Sequence, residues 1–458
     1  MSTPRRFDVV VVGAGSTGAA AAAMFAAGGR RVALVERRRL DVAGARWIND
    51  IPPWLFDEAG VARPEPPERR CACVPITMLD RAGTPRVELE RPMWGIDMRA
   101  LGDRLRGDAE RQGVELFAQA RLLELEHHGS EGRPVALEIE QGDLRTRLEA
   151  ALFVDASGLA GELRVRSRAL ARRCLPVERG DLVSAAQQVC AIADRAGARA
   201  FLARHGDRDG VLTWSGVGGG FSTLGVRVEL DADEVELLTG VEATHSELDG
   251  PSLLQAFKRK NPWVGAVVFG GASMIPVRRP YDRLAAPGLA LVGDAACQTF
   301  PGHGSGVGSG LVAARMLERA AASRDDPGAA SSMADYQARF HRERGGVHAA
   351  YDVIRRLAGS LGEDDVDRLL TSGLVTPATT SAALLQRMPT LGPRLVAEIA
   401  RAAVDVPALA ARFAAAGPRM LAAERAYAAH PGGVDDRALG GWARRAAWLA
   451  GHAVDPHP

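Results

Sequence analysis

Three glycines in six residues, Gly13-Ala14-Gly15-Ser16-Thr17-Gly18, separate two different sequence patterns. Phe7 to Val12 precedes them as a buried strand with four consecutive valines, and an alanine-rich helix follows to about Ala27. Gly28-Gly29 closes that helix, and Arg31 to Val35 gives a second strand ending at Glu36. Together these make a strand–helix–strand unit. In this context Gly13 permits the tight turn, Gly15 lets the backbone approach a pyrophosphate, and Gly18 allows close helix–strand packing. Ser16 and Thr17 open the helix, whose positive end would face that pyrophosphate. Glu36 is placed to accept both ribose hydroxyls of an adenosine. Arg37 adjoins that carboxylate and is assigned to the adenosine site. The run Arg37-Arg38-Arg39 as a whole reads as a solvated turn, because Glu36 would repel a 2′-phosphate.

A second constellation lies far downstream. Leu291-Val292-Gly293-Asp294-Ala295-Ala296 leads into Pro301-Gly302-His303-Gly304-Ser305-Gly306-Val307-Gly308 and a long helix to about Ala322. This resembles the second flavin motif of the p-hydroxybenzoate hydroxylase and geranylgeranyl reductase superfamily. The resemblance implies FAD, with Gly293 and Asp294 at the ribitol chain. It also implies that Gly304, Gly306, Val307 and Gly308 place a helix N-terminus beside the flavin pyrimidine. Reduced flavin is negative near N1 and C2=O, so donors and a helix dipole there are stabilising. Asp155-Ala156-Ser157-Gly158 is similar to the Asp-Ala-Ser-Gly turn of the reductase and halogenase branches, which brings the chain back under the FAD. Ile96-Asp97-Met98-Arg99, followed by Leu101 and Leu105, is similar to the family's Arg-x-x-Leu helix start, so Arg99 inherits a cofactor contact. The first Leu comes one residue early here.

For acid–base work the side chains near these motifs are His303, Cys297, Asp50 and Arg46. His303 lies in the glycine turn expected at the isoalloxazine. Arg46 opens the stretch Arg46-Trp47-Ile48-Asn49-Asp50, where relatives place residues facing the ring. His303 and Arg46 are therefore the catalytic candidates, and Cys297 is expected to pack near the ribitol. Halogenation is disfavoured. It requires a Lys in the N-terminal third, and the only lysines are Lys258 and Lys260. No second glycine fingerprint stands between a strand and a helix. Reducing equivalents are thus expected from NAD(P)H as a transient reductant or from a separate flavin reductase.

Positioning these motifs requires an α/β fold. We expect a Rossmann-type FAD-binding domain from residues 1–164 and 276–325. An inserted antiparallel β-sheet substrate lobe would span 165–275, and a helical C-terminal extension 326–458. Within the lobe, Ala196 to His205 reads as helix and Phe221 to Leu230 as strand. Leu152 to Val154 reads as a short buried strand.

The 458 residues carry 47% hydrophobic and 25% charged side chains, enough for a sizeable core. A formal net charge of +1 gives no electrostatic footprint for nucleic acid. The five cysteines include no Cys-x-x-Cys, and no metal site is expected. Ala19 to Ala27, the longest apolar run, is too short to span a bilayer, and cytoplasmic residence is expected. The leading expectation for function is hydroxylation of a small hydrophobic or aromatic molecule by reduced FAD and O2. The alternatives are reduction of isoprenoid or polyene double bonds, or a non-catalytic flavin-binding partner protein.

Overall fold

The computed structural model describes residues 4–452 apart from 91, 130–131, 207, 246, 391 and 434–435. Its main sheet is built around the valine strand Arg5–Val12, which pairs in parallel with Val32–Val35 on one side and Leu144–Asp155 on the other. Glu115–Phe117 joins beyond the former and Leu289–Leu291 beyond the latter, both parallel. Val9, Val10 and Val11 are fully buried, as a strand covered on both faces must be. Each such burial contributes about 1.5–3 kcal/mol.

Register decides where the motifs emerge. Val12 pairs with Asp155, and Asp155 with Leu291. Three neighbouring parallel strands therefore end level, and Gly13, Ala156 and Val292 leave the sheet side by side. Ligands of open α/β sheets bind at such carboxyl ends.

The strand expected at Leu152 to Val154 is twelve residues long, because Leu144–Asp155 also forms an antiparallel ladder with Arg133–Gln141. Its first half alternates charged and apolar residues, and so hides the continuity. Arg121–His128 completes this outer hairpin.

A second, seven-stranded sheet runs in the order Val264–Pro276, Leu182–Ile192, Glu234–Glu242, Ser222–Glu229, Val211–Ser215, Pro75–Leu79, Pro85–Glu90. Its last two strands come from within the first flavin segment, so the lobe is not confined to 165–275. The helices Arg195–Arg204 and Gly250–Lys260 cover one face, around Phe201, Leu254, Phe257 and Trp263. A small third sheet joins Ile48–Ile51, Trp94–Asp97 and Arg69–Ala72.

The C-terminal region is helical, and it packs back on the rest. Pro393 and Pro407 begin helices, where the missing N–H costs nothing, whereas Pro418 lies inside Pro407–Ala428. The helix Ala330–Phe340 passes through a π-turn, His341–Gly345, into Gly346–Gly359. At the far end of the latter, buried Arg355 bonds Asp181 at 2.9 Å and Asp352 at 3.0 Å, and Arg356 bonds Asp181 at 2.6 Å. His452 closes the cluster against Asp352. Asp181, Asp352 and His452 lie close enough to ligate one ion, but the guanidinium groups already occupy the carboxylates. No helix among the described residues is long and apolar enough to cross a membrane.

Candidate active site

Gly13 has φ +104°, and a methyl there would lie 2.3 Å from the Ala156 carbonyl oxygen. At Gly18 a methyl would fall 1.8 Å from the Gly13 oxygen. Both glycines are demanded by the protein itself. Gly15 differs: the nearest protein atom to its would-be methyl is Gly44 Cα at an ordinary 3.6 Å. Nothing within the chain demands a glycine at this position. Gly15 is also the N-cap of the helix Ser16–Ala27, which has no side-chain cap, so its first N–H groups are left for a ligand.

Glu36 stands just past the end of Val32–Val35 and is buried. Oε2 accepts the Ala14 N–H and Oε1 the Arg38 N–H, each at 2.9 Å. These bonds aim the carboxylate at the fingerprint turn and leave lone pairs for a ribose. Arg37 points to solvent. Arg106, which the sequence reading passed over, sends Nη1 to the Ala14 carbonyl at 3.1 Å and is buried. Arg99 does not reach this turn. It forks onto Asp97 at 3.0 and 2.6 Å and stacks 3.4 Å above the Phe269 ring. The partners of Arg99 are thus Asp97 and Phe269 rather than the fingerprint turn. Arg106 lies two turns further along the same helix face, a spacing that marks it as Arg99's neighbour.

Asp155 is bonded entirely within its own turn. Its Oδ1 accepts from Ser157 N–H and hydroxyl, and its Oδ2 from the N–H groups of Leu163 and Arg164. All four lone pairs are used locally, and Asp155 acts by setting the turn against which Gly13 packs.

The downstream motif folds against the upstream one through Thr17. A methyl on Gly310 would lie 2.3 Å from Thr17 Oγ1, and one on Gly293, where φ is +66°, 3.3 Å. Thr17 is thus a packing joint between the two motifs. Asp294 stays partly exposed, with Oδ1 accepting the Thr299 hydroxyl at 2.7 Å, and burial raises its pKa. Gly306 faces this pair, since a methyl would come within 2.7 Å of Thr299 Oγ1. Val307 starts the helix Val307–Ala322, which also lacks a side-chain cap. A side chain at Gly308 would strike Leu55. Gly304 has φ +76° and shapes the turn.

Two uncapped helix ends, an unobstructed Gly15 and the carboxylates Glu36 and Asp294 therefore all follow the carboxyl ends of strands in the main sheet. This donor set fits a dinucleotide: amides and positive dipole ends for the pyrophosphate and an electron-rich ring edge, carboxylates for hydroxyls.

His303 sits in the glycine turn as expected. Its Nδ1 accepts the Ser305 N–H at 3.3 Å, and its ring packs on Phe300. Desolvation lowers its pKa to about 4, so it is neutral near pH 7 and cannot serve there as a protonated acid. Cys297 is buried, and desolvation raises its thiol to about 11, an inert packing residue. Arg46 gives Nη1 to the Asp41 carbonyl, a bond within its own loop. Asn49 accepts the Ser305 hydroxyl at 2.8 Å, tying the small sheet to the glycine turn. Trp47 packs against the large sheet, 3.3 Å from where a Gly271 methyl would be.

No family model matches the chain. Digeranylgeranylglycerophospholipid reductase 1 of Methanopyrus kandleri is 27% identical over 372 residues, 80% of this chain and 93% of the relative. Digeranylgeranylglycerophospholipid reductase 2 of that organism is 27% identical over 386 residues, 80% of this chain and 92% of the relative. A geranylgeranyl bacteriochlorophyll reductase-like structure from Thermoplasma acidophilum superposes with a TM-score of 0.69 at 17% identity, over 90% of this chain and all of the other. The structure of pqsL, a probable FAD-dependent monooxygenase from Pseudomonas aeruginosa, gives 0.56 at 20% identity, over 79% of this chain and 98% of the other. At such identities the solved structures speak for the fold alone.

Proposed function

We propose that this chain, an FAD-dependent oxidoreductase of the p-hydroxybenzoate hydroxylase and geranylgeranyl reductase superfamily, reduces carbon–carbon double bonds of an isoprenoid chain. The observation that carries this reading is the alignment through 93% of a digeranylgeranylglycerophospholipid reductase. It reverses the order expected from sequence, which put hydroxylation first. FAD, when bound and reduced, would supply hydride transfer to carbon. The protein's part is binding, orientation and exclusion of water.

Gly13 to Gly18 and Glu36 would hold the adenosine pyrophosphate half, and Asp294 the ribityl hydroxyls. The N-terminus of Val307–Ala322 would favour negative charge on the pyrimidine edge. The small hydrophobic substrate would enter between the glycine turn and the large sheet, where Trp47, Phe269 and Gly271 offer an apolar wall. Neutral His303 suits a site for an uncharged alkene. Halogenation finds no support, because Lys258 lies on the covering helix Gly250–Lys260 and donates to Gln188 at 3.3 Å. Reductant would come from NAD(P)H in passing or from a partner reductase.

The test is anaerobic. Reduced enzyme mixed with a polyprenyl lipid should reoxidise and yield a saturated product. Reoxidation only by O2, with labelled oxygen in the product, would restore hydroxylation as the function.

A further inference from the structure

Four successive residues at the end of the helix Pro377–Leu384 each terminate on a different piece of the flavin-side architecture. The Leu384 backbone faces the His303 imidazole. The Leu385 carbonyl accepts Trp54 Nε1–H at 3.2 Å, and the Arg387 carbonyl accepts the Tyr351 hydroxyl at 2.9 Å. Between them Gln386 is 1% exposed and held at φ +55°, a conformation costly for a side chain of its type. Its Oε1 accepts both the Ser309 hydroxyl and Arg344 Nη2, each at 3.0 Å.

Those two donors differ in kind. Ser309 is the third residue of Val307–Ala322, the helix whose uncapped end faces the flavin in the reading above. Arg344 comes from the π-turn, a helix irregularity that recurs at functional sites. It is buried, and its guanidinium stacks 4.8 Å from the Trp54 ring. Burial lowers its pKa to about 10, and Glu58 acts on it only through space. Gln386 thus joins a buried cation to the first turn of the flavin-facing helix.

We propose that Gln386 is a positioning residue for the flavin, fixing that first turn and coupling the Arg344 charge to its positive end. This rests on the FAD reading of the site. Under it, the C-terminal region is part of the flavin's electronic environment rather than an appendage.

The amide nitrogen of Gln386 has no hydrogen-bond partner among the described residues. Gln386→Glu therefore keeps both accepting contacts while setting a negative charge beside Arg344. A merely structural glutamine would tolerate this change without effect on the cofactor. The experiment measures FAD affinity, visible absorbance and flavin reduction potential in the full chain, with circular dichroism as the check on folding.

Gln386→Leu should bind FAD on the order of tenfold more weakly and lower its potential. Gln386→Glu should retain FAD affinity and still lower the potential. If Gln386→Leu does not fold, Ser309→Ala removes the same contact from the other side and should shift the absorbance. Wild-type potential and absorbance in the folded variants would overturn the proposal alone. A wild-type chain that takes up no FAD would overturn the cofactor reading and the proposal with it.

Discussion

Gly13 and Gly15 stand two residues apart in one motif and answer to different constraints. Gly13 is fixed by its φ of +104° and by the Ala156 carbonyl, so Gly13→Ala should give insoluble or unfolded protein. Gly15 meets only ordinary contact within the chain, so Gly15→Val should fold normally and purify colourless. Absorbance and circular dichroism of the two variants make the comparison, and a yellow Gly15→Val protein would remove the pyrophosphate from this turn. Glu36 carries the adenosine end. Its carboxylate is already aimed by two backbone N–H groups, so orienting it costs little when a ribose arrives. Glu36→Ala should weaken FAD binding by about 1.5–3 kcal/mol, the scale of charge-assisted hydrogen bonds. Titration of the apoprotein reads this directly, and unchanged affinity would place the adenosine elsewhere.

Elements were legible in the sequence where one pattern dominated. The strand–helix–strand unit and the helix from Val307 stand out because buried strands and glycine turns leave local marks. The strand Leu144–Asp155 was legible only at its end, since its first half obeys the hairpin's alternation and not the core's. Pro75–Leu79 and Pro85–Glu90 gave no hint of joining a sheet whose other strands lie a hundred residues downstream. Arg106 had a helical spacing that could have found it, whereas Gln386 had none: its role comes from tertiary placement alone. The same holds for Arg355, one arginine among many in the sequence, which is 1% exposed and bridges Asp181 and Asp352. Arg355→Ala would leave those carboxylates with one fewer partner in a buried setting. It should destabilise the protein by roughly 3–5 kcal/mol in urea denaturation. A loss below about 1 kcal/mol, the worth of an exposed pair, would mean that solvent reaches the cluster.

At the scale of the whole molecule, the junction between the C-terminal helices and the flavin turn is built with neutral imidazoles. His348 is fully buried, with Nδ1 to the Arg344 carbonyl at 2.9 Å. His341 and His430 stack face to face against Trp442. Burial lowers His303 and His430 to about 4 and His348 to about 3, and holds His341 well below its ordinary value. An unfolded imidazole titrates near about 6.5. Because the folded values are depressed, the unfolded chain binds protons first as pH falls. Stability is therefore complete above about 6.5 and declines from there towards the folded values, by up to about 1.4 kcal/mol per pH unit for each histidine. Asp352, whose pKa the neighbouring His452 and arginines depress, contributes no loss until pH approaches the ordinary carboxylate range. Desolvation shifts Glu58, Asp155, Glu242 and Asp294 upward, which opposes the trend, but His127, His205 and His452 are lowered as well, so four carboxyls stand against seven imidazoles among the described residues. Urea midpoints should accordingly fall steeply between about pH 7 and about pH 5.5, where ordinary carboxylates are still ionised. His348→Gln removes one of the protons taken up on unfolding and should flatten the slope, whatever it does to stability at neutral pH. A wild-type midpoint that is level across that interval would mean these imidazoles are solvated, and that the C-terminal helices do not seal the flavin turn.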